Sequence, residues 1–191
     1  MKKFISYAIN IVVFGVVLVG VYMTFGTAQV SGNSMYPTYE NADFLLISKT
    51  KAIEYGDIVA IYSDQLSKYL CKRVVGTEGD RIVIDNTGFY RNGELVDEPY
   101  IVEDWLEHSD WVNTTVPENE VFVMGDNRNN SADSRYLGTM SVSDIYGVSI
   151  LNLTKTLHLS RYSLTFITVF LWILVLLSLI FSKRKMQNNQ G

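Results

Sequence analysis

A single cysteine, Cys71, stands in a chain of 191 residues, so no internal disulfide can brace it. Histidine is nearly as scarce. His108 and His158 are the only two, too few and too isolated for a metal centre or a histidine-based triad. Acidic residues are absent from both ends of the chain: all 20 lie in the middle, beside 11 of the 16 basic residues, which leaves that stretch at −9. A domain so acidic is a poor partner for nucleic acid. Internal repeats, low-complexity linkers and, in the middle region, sustained helical periodicity are absent too; only residues 102–112 offer room for a turn or two of helix.

What is present begins with two long apolar runs. Residues 4–25 carry no charge and are mostly Ile, Val, Gly and Leu; as a helix these 22 residues would reach about 33 Å, enough to cross a bilayer core. Residues 162–182 form a second, stronger candidate. Lys2 and Lys3 precede the first run, and Lys183, Arg184 and Lys185 follow the second. By the positive-inside rule both termini are cytoplasmic and the middle lies outside. A cleaved signal peptide is the competing reading of the first run, with Gly26-Thr27-Ala28 as the cutting region. The apolar stretch exceeds the usual 7–15 residues of such peptides, which favours an uncleaved anchor. The expected organisation is an anchor over residues 1–26, an outward-facing domain over 27–155, a second span over 162–182 and a basic tail over 183–191.

The middle reads as β-structure. Apolar or alternating runs at 43–48, 58–62, 69–75, 81–84, 89–90, 95–96, 120–124 and 142–153 are separated by Gly- and Asn-bearing turns such as Asn92-Gly93. The fold class expected is mainly β, an antiparallel barrel-like or sandwich domain flanked by two transmembrane helices.

Three segments could carry chemistry. Ser34 sits in Ser34-Met35-Tyr36-Pro37-Thr38, where Pro37 stiffens a turn shortly after the first apolar run. Taken alone, such a serine is an ordinary turn residue. Lys72 sits in the strand-like run Tyr69-Leu70-Cys71-Lys72-Arg73-Val74-Val75. A lysine in water, with a pKa near 10.4, is neutral in only about one molecule in a few thousand at pH 7. To act as a base it must be desolvated, and Leu70 and Val74, on its own strand face, could do this, with Arg73 on the opposite face. Its bland alternative is a solvated edge-strand lysine. The third segment, Gly125-Asp126-Asn127-Arg128 through Ser131, Asp133, Ser134 and Arg135, is dense in polar groups directly after an apolar strand. It lacks the acidic spacing of a calcium loop; Asp133 and Arg135 could pair, with Ser131 bonding the lysine amine. Cys71 reads as packing, and Asn113-Thr114-Thr115 matches a glycosylation sequon only weakly.

Together these segments resemble the boxes of type I signal peptidases, membrane-anchored Ser–Lys proteases. Ser34-Met35-Tyr36-Pro37-Thr38, Gly56-Asp57-Ile58-Val59, Lys72-Arg73-Val74-Val75-Gly76 with Gly79-Asp80, and the 125–135 loop occur in the family's order between about residues 30 and 150. The resemblance implies Ser34 as nucleophile, Lys72 as general base and Ser131 as its orienting partner, with Asp133, Arg135 and Arg73 buttressing the site. It implies an oxyanion hole using the Ser34 backbone N–H. Gly32 stands where some members have a further serine. Lysine at the base position is similar to the bacterial type. Asn129 replaces a frequent aspartate, and the short stretch between Asp80 and Gly125 leaves little of the second domain of larger members. No cofactor and no metal are implied. The implied partners are preprotein signal peptides and the lipid bilayer of the plasma membrane. The cleavage region would lie extended along a sheet edge, its small −1 and −3 residues in shallow pockets near Met35, Ile58 and Leu70. Two other readings remain: a non-catalytic assembly or chaperone protein on the same fold, and a soluble self-cleaving regulator.

Overall fold

The computed structural model describes residues 2–101 and 111–157, with side chains described from residue 12 onward. The chain divides into two units, Met1–Asn152 and Leu153–Gly191. Of the second unit, the described part is one helical turn, α3, at Leu153–Thr156. The candidate span at 162–182, the basic tail, His108, His158 and most of the suggested 102–112 turn lie outside the described residues.

The first unit opens with helix α1, Lys2–Thr24. Among the described residues no helix is long and apolar enough to cross a membrane; the described side chains of α1 cover only its last part. There Val12, Val13, Phe14, Val16, Val17, Leu18, Val19 and Val21 are all exposed, so the apolar side chains of this part lie uncovered on every side of the helix. The helix passes without a linker into strand β1, Phe25–Gln29, which pairs antiparallel with β2, Phe44–Ser48.

Strand β3 runs Ile58–Ser63 and β4 Lys68–Thr77, joined by a tight turn in which Ser67 takes φ of +49°. Then follow β5 (Arg81–Asp85), β6 (Gly88–Arg91), β7 (Glu94–Leu95), β8 (Val112–Thr115), β9 (Glu120–Met124), the short helix α2 (Ser134–Leu137), β10 (Met140–Ser141) and β11 (Ile145–Asn152). They form a seven-stranded sheet of order β1-β2-β11-β3-β4-β9-β10 and a four-stranded sheet of order β7-β6-β5-β8. All strand pairings among the described residues are antiparallel. The mainly β expectation therefore holds as two sheets; neither closes on itself by strand pairing among the described residues. Asn92 and Gly93 take positive φ, +55° and +85°, as the two-residue hairpin between β6 and β7 requires.

β4 decides where the cores lie. Its successive side chains point to opposite faces and both faces are buried at Val74 and Val75, beside a register shift between Val74 and Gly76. Val74 joins Val59, Ile61, Leu70, Val121, Val123, Met140 and Val148 in one core. Val75 joins Ile82, Ile84, Phe89, Val116, Phe122 and Met124 in another, which binds the second sheet to the first. Each such buried side chain contributes roughly 1.5–3 kcal/mol. The turn after β4 is held by Asp80, whose carboxylate accepts from Thr77 N, Thr77 Oγ1, Arg91 Nε and Asn92 Nδ2. Burial pushes this carboxyl up, but those donors outweigh it and hold it below the usual range.

Candidate active site

Ser34 lies in a loop whose neck is closed by two backbone hydrogen bonds, Val30 N to Asp43 O at 2.9 Å and Ala42 N to Val30 O at 2.8 Å. Gly32 takes φ of +87°, which a residue with a Cβ would resist, and its N–H donates to Asn41 Oδ1. Past the serine, Tyr36 N donates to Asn33 O and Tyr39 N to Met35 O, winding the chain into a turn. Met35 is fully buried and anchors that turn. The Tyr36–Pro37 peptide is cis. Thr38 Oγ1 donates to Asp126 Oδ2, tying the far side of the loop to the segment after β9.

Lys72 is inward-facing on β4: it, Leu70 and Val74 are buried, while Cys71 and Arg73 alternate with them at intermediate exposure. Its Nζ stands 2.7 Å from Ser34 Oγ as a hydrogen-bond partner. Only 3% of the residue is exposed. Burial lowers the amine's pKa, and the charge of Asp133 opposes that only in part. An amine kept dry in this way has a larger neutral fraction at pH 7 than a solvated lysine and can accept the proton of an attacking hydroxyl. Burial likewise pushes the neighbouring Cys71 thiol up to about 12, so it stays protonated and unreactive.

The loop after β9 clamps the serine and places the Asp133 carboxylate where its charge acts on the lysine. Asn127 N donates to Ser34 O and Asn127 Nδ2 to Asn33 O. Gly125 lies so close beneath the serine that a Cβ there would stand 2.5 Å from Ser34 O and 2.3 Å from Ser131 Oγ. Asp133 is fully buried and caps α2; it pairs with Arg135 through Nε to Oδ1 at 2.9 Å and Nη2 to Oδ2 at 3.0 Å, and accepts from Gly125 N. Burial raises the Asp133 carboxyl, but Arg135, Gly125 N and Ser131 more than reverse it, so it sits below its ordinary value.

Two supporting residues remain. The Arg73 guanidinium braces the site through a carboxylate other than the one Arg135 holds. It binds Asp126 at both carboxylate oxygens, Nε to Oδ1 at 2.8 Å and Nη2 to Oδ2 at 2.6 Å, with Nη1 on Gly56 O. The register explains this: Arg73 pairs with Met124, two residues before Asp126. Ser131 Oγ does not bond the lysine amine. It lies against Gly125 and is the one buried side-chain polar atom among the described residues without a hydrogen-bond partner.

A groove of about 320 Å³ opens in front of the serine, between residues 28–34 and residues 68–72. Ala28, Leu45, Ile47, Ala60, Leu70 and Cys71 give it apolar walls, and Gly32, Ser34 and Lys72 reach it as well. Of the four residues expected near the substrate, Gly32 and Leu70 line it; Met35 and Ile58 do not. Met35 is fully buried apart from the groove, and Ile58 pairs with Arg73, one step past the lysine. Along the groove β4 has β3 on one side only: its pairing with β9 starts at Arg73, so among the described residues the outer edge of 68–72 carries no strand.

A serine hydroxyl held against a dry lysine amine, beside an apolar groove with an open strand edge, is an arrangement suited to acyl transfer on an extended peptide. Comparison with known proteins agrees. The family model described as signal peptidase, peptidase S26, matches residues 2–153. Signal peptidase I S of Bacillus subtilis (strain 168) is 37% identical over 164 residues, covering 78% of this chain and 88% of that protein. A signal peptidase I of Bacillus amyloliquefaciens is 37% identical over 133 residues, covering 63% and 69%. The crystal structure of a signal peptidase I from Enterococcus faecalis V583 aligns with a TM-score of 0.48 at 29% identity, over 52% of this chain and 98% of that one. The chain belongs to the S26 signal peptidase family and is a serine peptidase.

Proposed function

We propose that the chain is a membrane-anchored signal peptidase I, cutting N-terminal signal peptides from exported preproteins with Ser34 as nucleophile and Lys72 as general base. The observation that carries the reading is the 2.7 Å contact between Ser34 Oγ and the buried Lys72 Nζ. As Ser34 Oγ bonds to the scissile carbonyl carbon, its proton passes to Lys72 Nζ. The carbon–nitrogen bond then breaks, and the same proton leaves with the new amine. Water next attacks the acyl-serine, Lys72 takes a proton from it, and that proton returns to Ser34 Oγ. The Ser34 N–H donates to no acceptor among the described backbone hydrogen bonds, so it is available to the oxyanion. Gly32 contributes no hydroxyl there, which leaves that charge to backbone donors.

Substrate and anchor follow from the surroundings. The unpaired edge of 68–72 suits an extended peptide added as a strand, and the walls formed by Ala28, Ala60 and Leu70 suit small side chains. Uncovered apolar side chains all round the described part of α1 support a bilayer as its surroundings, with the catalytic domain on the outer face of the plasma membrane. Sharing a membrane with the substrate raises the effective concentration of the cut site and fixes its height. The test is incubation of the detergent-solubilised chain with a signal-peptide substrate, mapping the cut by mass spectrometry. A single cut, lost in Ser34→Ala and in Lys72→Ala while both remain folded, is expected. Peptide capture with no product would overturn the enzyme in favour of a binding protein.

A further inference from the structure

Between β7 and the end of the described stretch at Ile101, the chain leaves the second sheet and returns toward the active site. Val96 N donates to Phe89 O and Ile101 N to Glu98 O, and both Val96 and Ile101 pack on the core shared by the two sheets. Between these anchors stand two side chains with no counterpart among the motifs. Glu98 grips the buried Arg128 with both oxygens, Nη1 to Oε2 at 2.5 Å and Nη2 to Oε1 at 2.6 Å. Tyr100 donates its hydroxyl to Glu98 Oε1 at 2.7 Å, and its ring lies 4.0 Å from the centre of the Arg73 guanidinium.

The two arginines so held each brace a segment that carries or clamps the dyad. Arg128 follows Asn127, the clamp on Ser34 O; its Nε donates to Gly125 O, and its own carbonyl accepts from Arg135 Nη2. Arg73 follows Lys72 directly and holds Asp126, which in turn accepts from Thr38 of the nucleophile loop. Both charged pairs are far from solvent: the Arg128 side chain is 0% exposed and that of Glu98 8%, and for Arg73 and Asp126 the values are 13% and 0%. A fork-to-fork ion pair and a stacked guanidinium both fix orientation as well as distance. Neither contact touches the groove.

We infer that Glu98 and Tyr100 are positioning residues for the Ser34–Lys72 dyad, one strap that fixes the clamp loop through Arg128 and the base strand through Arg73. The inference rests on the proposed protease reading for the reaction it serves. It predicts that loosening the strap slows chemistry and leaves substrate binding intact, because the strap sets where the reacting atoms stand and does not line the groove. Misplacement on the scale of 1 Å slows a reaction by about 100-fold.

The experiment uses the full chain in detergent, with Glu98→Gln and Tyr100→Phe beside the wild type. Each keeps its side chain's shape, and circular dichroism and the melting temperature report folding separately. Two readouts follow: kcat and KM on a signal-peptide substrate, and competitive labelling of the Lys72 amine across pH, which needs no cleavage. For Glu98→Gln, kcat should fall about 10- to 100-fold with KM within about twofold; for Tyr100→Phe the fall should be smaller, about threefold to tenfold. The labelling midpoint of Lys72 should rise in Glu98→Gln. Burial is what chiefly depresses it, and neither Glu98 nor Arg128 is among the leading charges acting on it, so a loosened shell acts chiefly by admitting water. Wild-type kcat and an unchanged Lys72 midpoint in folded variants would overturn the strap. So would a raised KM at constant kcat, which would make it a binding element. If the wild type cuts no signal-peptide substrate, the protease reading falls, and the labelling midpoint alone decides whether the strap sets the dyad.

Discussion

Gly125→Ala is the substitution whose consequence can be worked most directly from distances. An added Cβ would meet Ser34 O at 2.5 Å, which is 0.9 Å short of the 3.4 Å at which ordinary contact begins, and would meet Ser131 Oγ at 2.3 Å. The serine hydroxyl can rotate away, but a backbone carbonyl cannot. Ser34 O is also held by Asn127 N, so the loop must carry its nucleophile with it or the clamp must open. A retreat of about 0.9 Å would stretch the 2.7 Å Ser34–Lys72 contact past hydrogen-bond length. Overpacking of this kind destabilises by about 1–3 kcal/mol, which leaves a small domain folded. Loss of the near-attack geometry slows the chemical step by about 100-fold. The assay is kcat on a signal-peptide substrate, with the melting temperature measured on the same preparation. A folded Gly125→Ala enzyme with wild-type kcat would refute the claim that this glycine sets the position of the nucleophile.

Lys72→Met should abolish cleavage, by about 1000-fold or more, and should stabilise the fold in a pH-dependent way. Because the folded amine titrates below its ordinary value, the unfolded chain binds the extra proton between the two pKa values, and wild-type stability rises with pH across that window. The gain from Lys72→Met should therefore be largest below the window and fade toward pH 10.5, as read by thermal unfolding at a series of pH values. In the wild type, kcat/KM should rise with pH through the same depressed value. Asp133→Asn removes a charge that holds the Lys72 pKa up, so the acid limb of activity should move to lower pH in whatever enzyme folds. It also removes the charge that faces the buried Arg135 guanidinium, a loss of about 3–5 kcal/mol seen in denaturant unfolding. In the wild type the contribution of Asp133 is present above its unfolded value of 3.8 and is lost as pH falls through its depressed folded value. Arg73→Lys keeps the charge but loses the two-pronged grip on Asp126, and should cost about 1.5–3 kcal/mol of stability, measured by urea titration.

What could be read from the sequence, and what could not, divides along one line. Wherever a residue's surroundings follow from its own strand, the pattern sufficed: the buried face Leu70, Lys72, Val74 follows from period-two alternation, and Asn92-Gly93 from turn chemistry. Wherever a contact depends on register with a distant strand, the pattern was silent. Phe25 and Gly26 read as the end of the anchor, and only pairing with β2 makes Phe25–Gln29 a strand. β8 and β10 are too polar or too short to alternate visibly. The same limit governs the site. The sequence offers Arg73 two carboxylates in one loop, Asp126 and Asp133, and only the pairing of Arg73 with Met124 selects Asp126. Glu98 and Tyr100 belong to no motif at all, since their position depends on a segment returning from the second sheet to the first. The chemistry of this site is thus local and its geometry is not: Ser34 and Lys72 can be named from short motifs. The 2.7 Å between them depends on β4, the clamp loop and the strap being placed together.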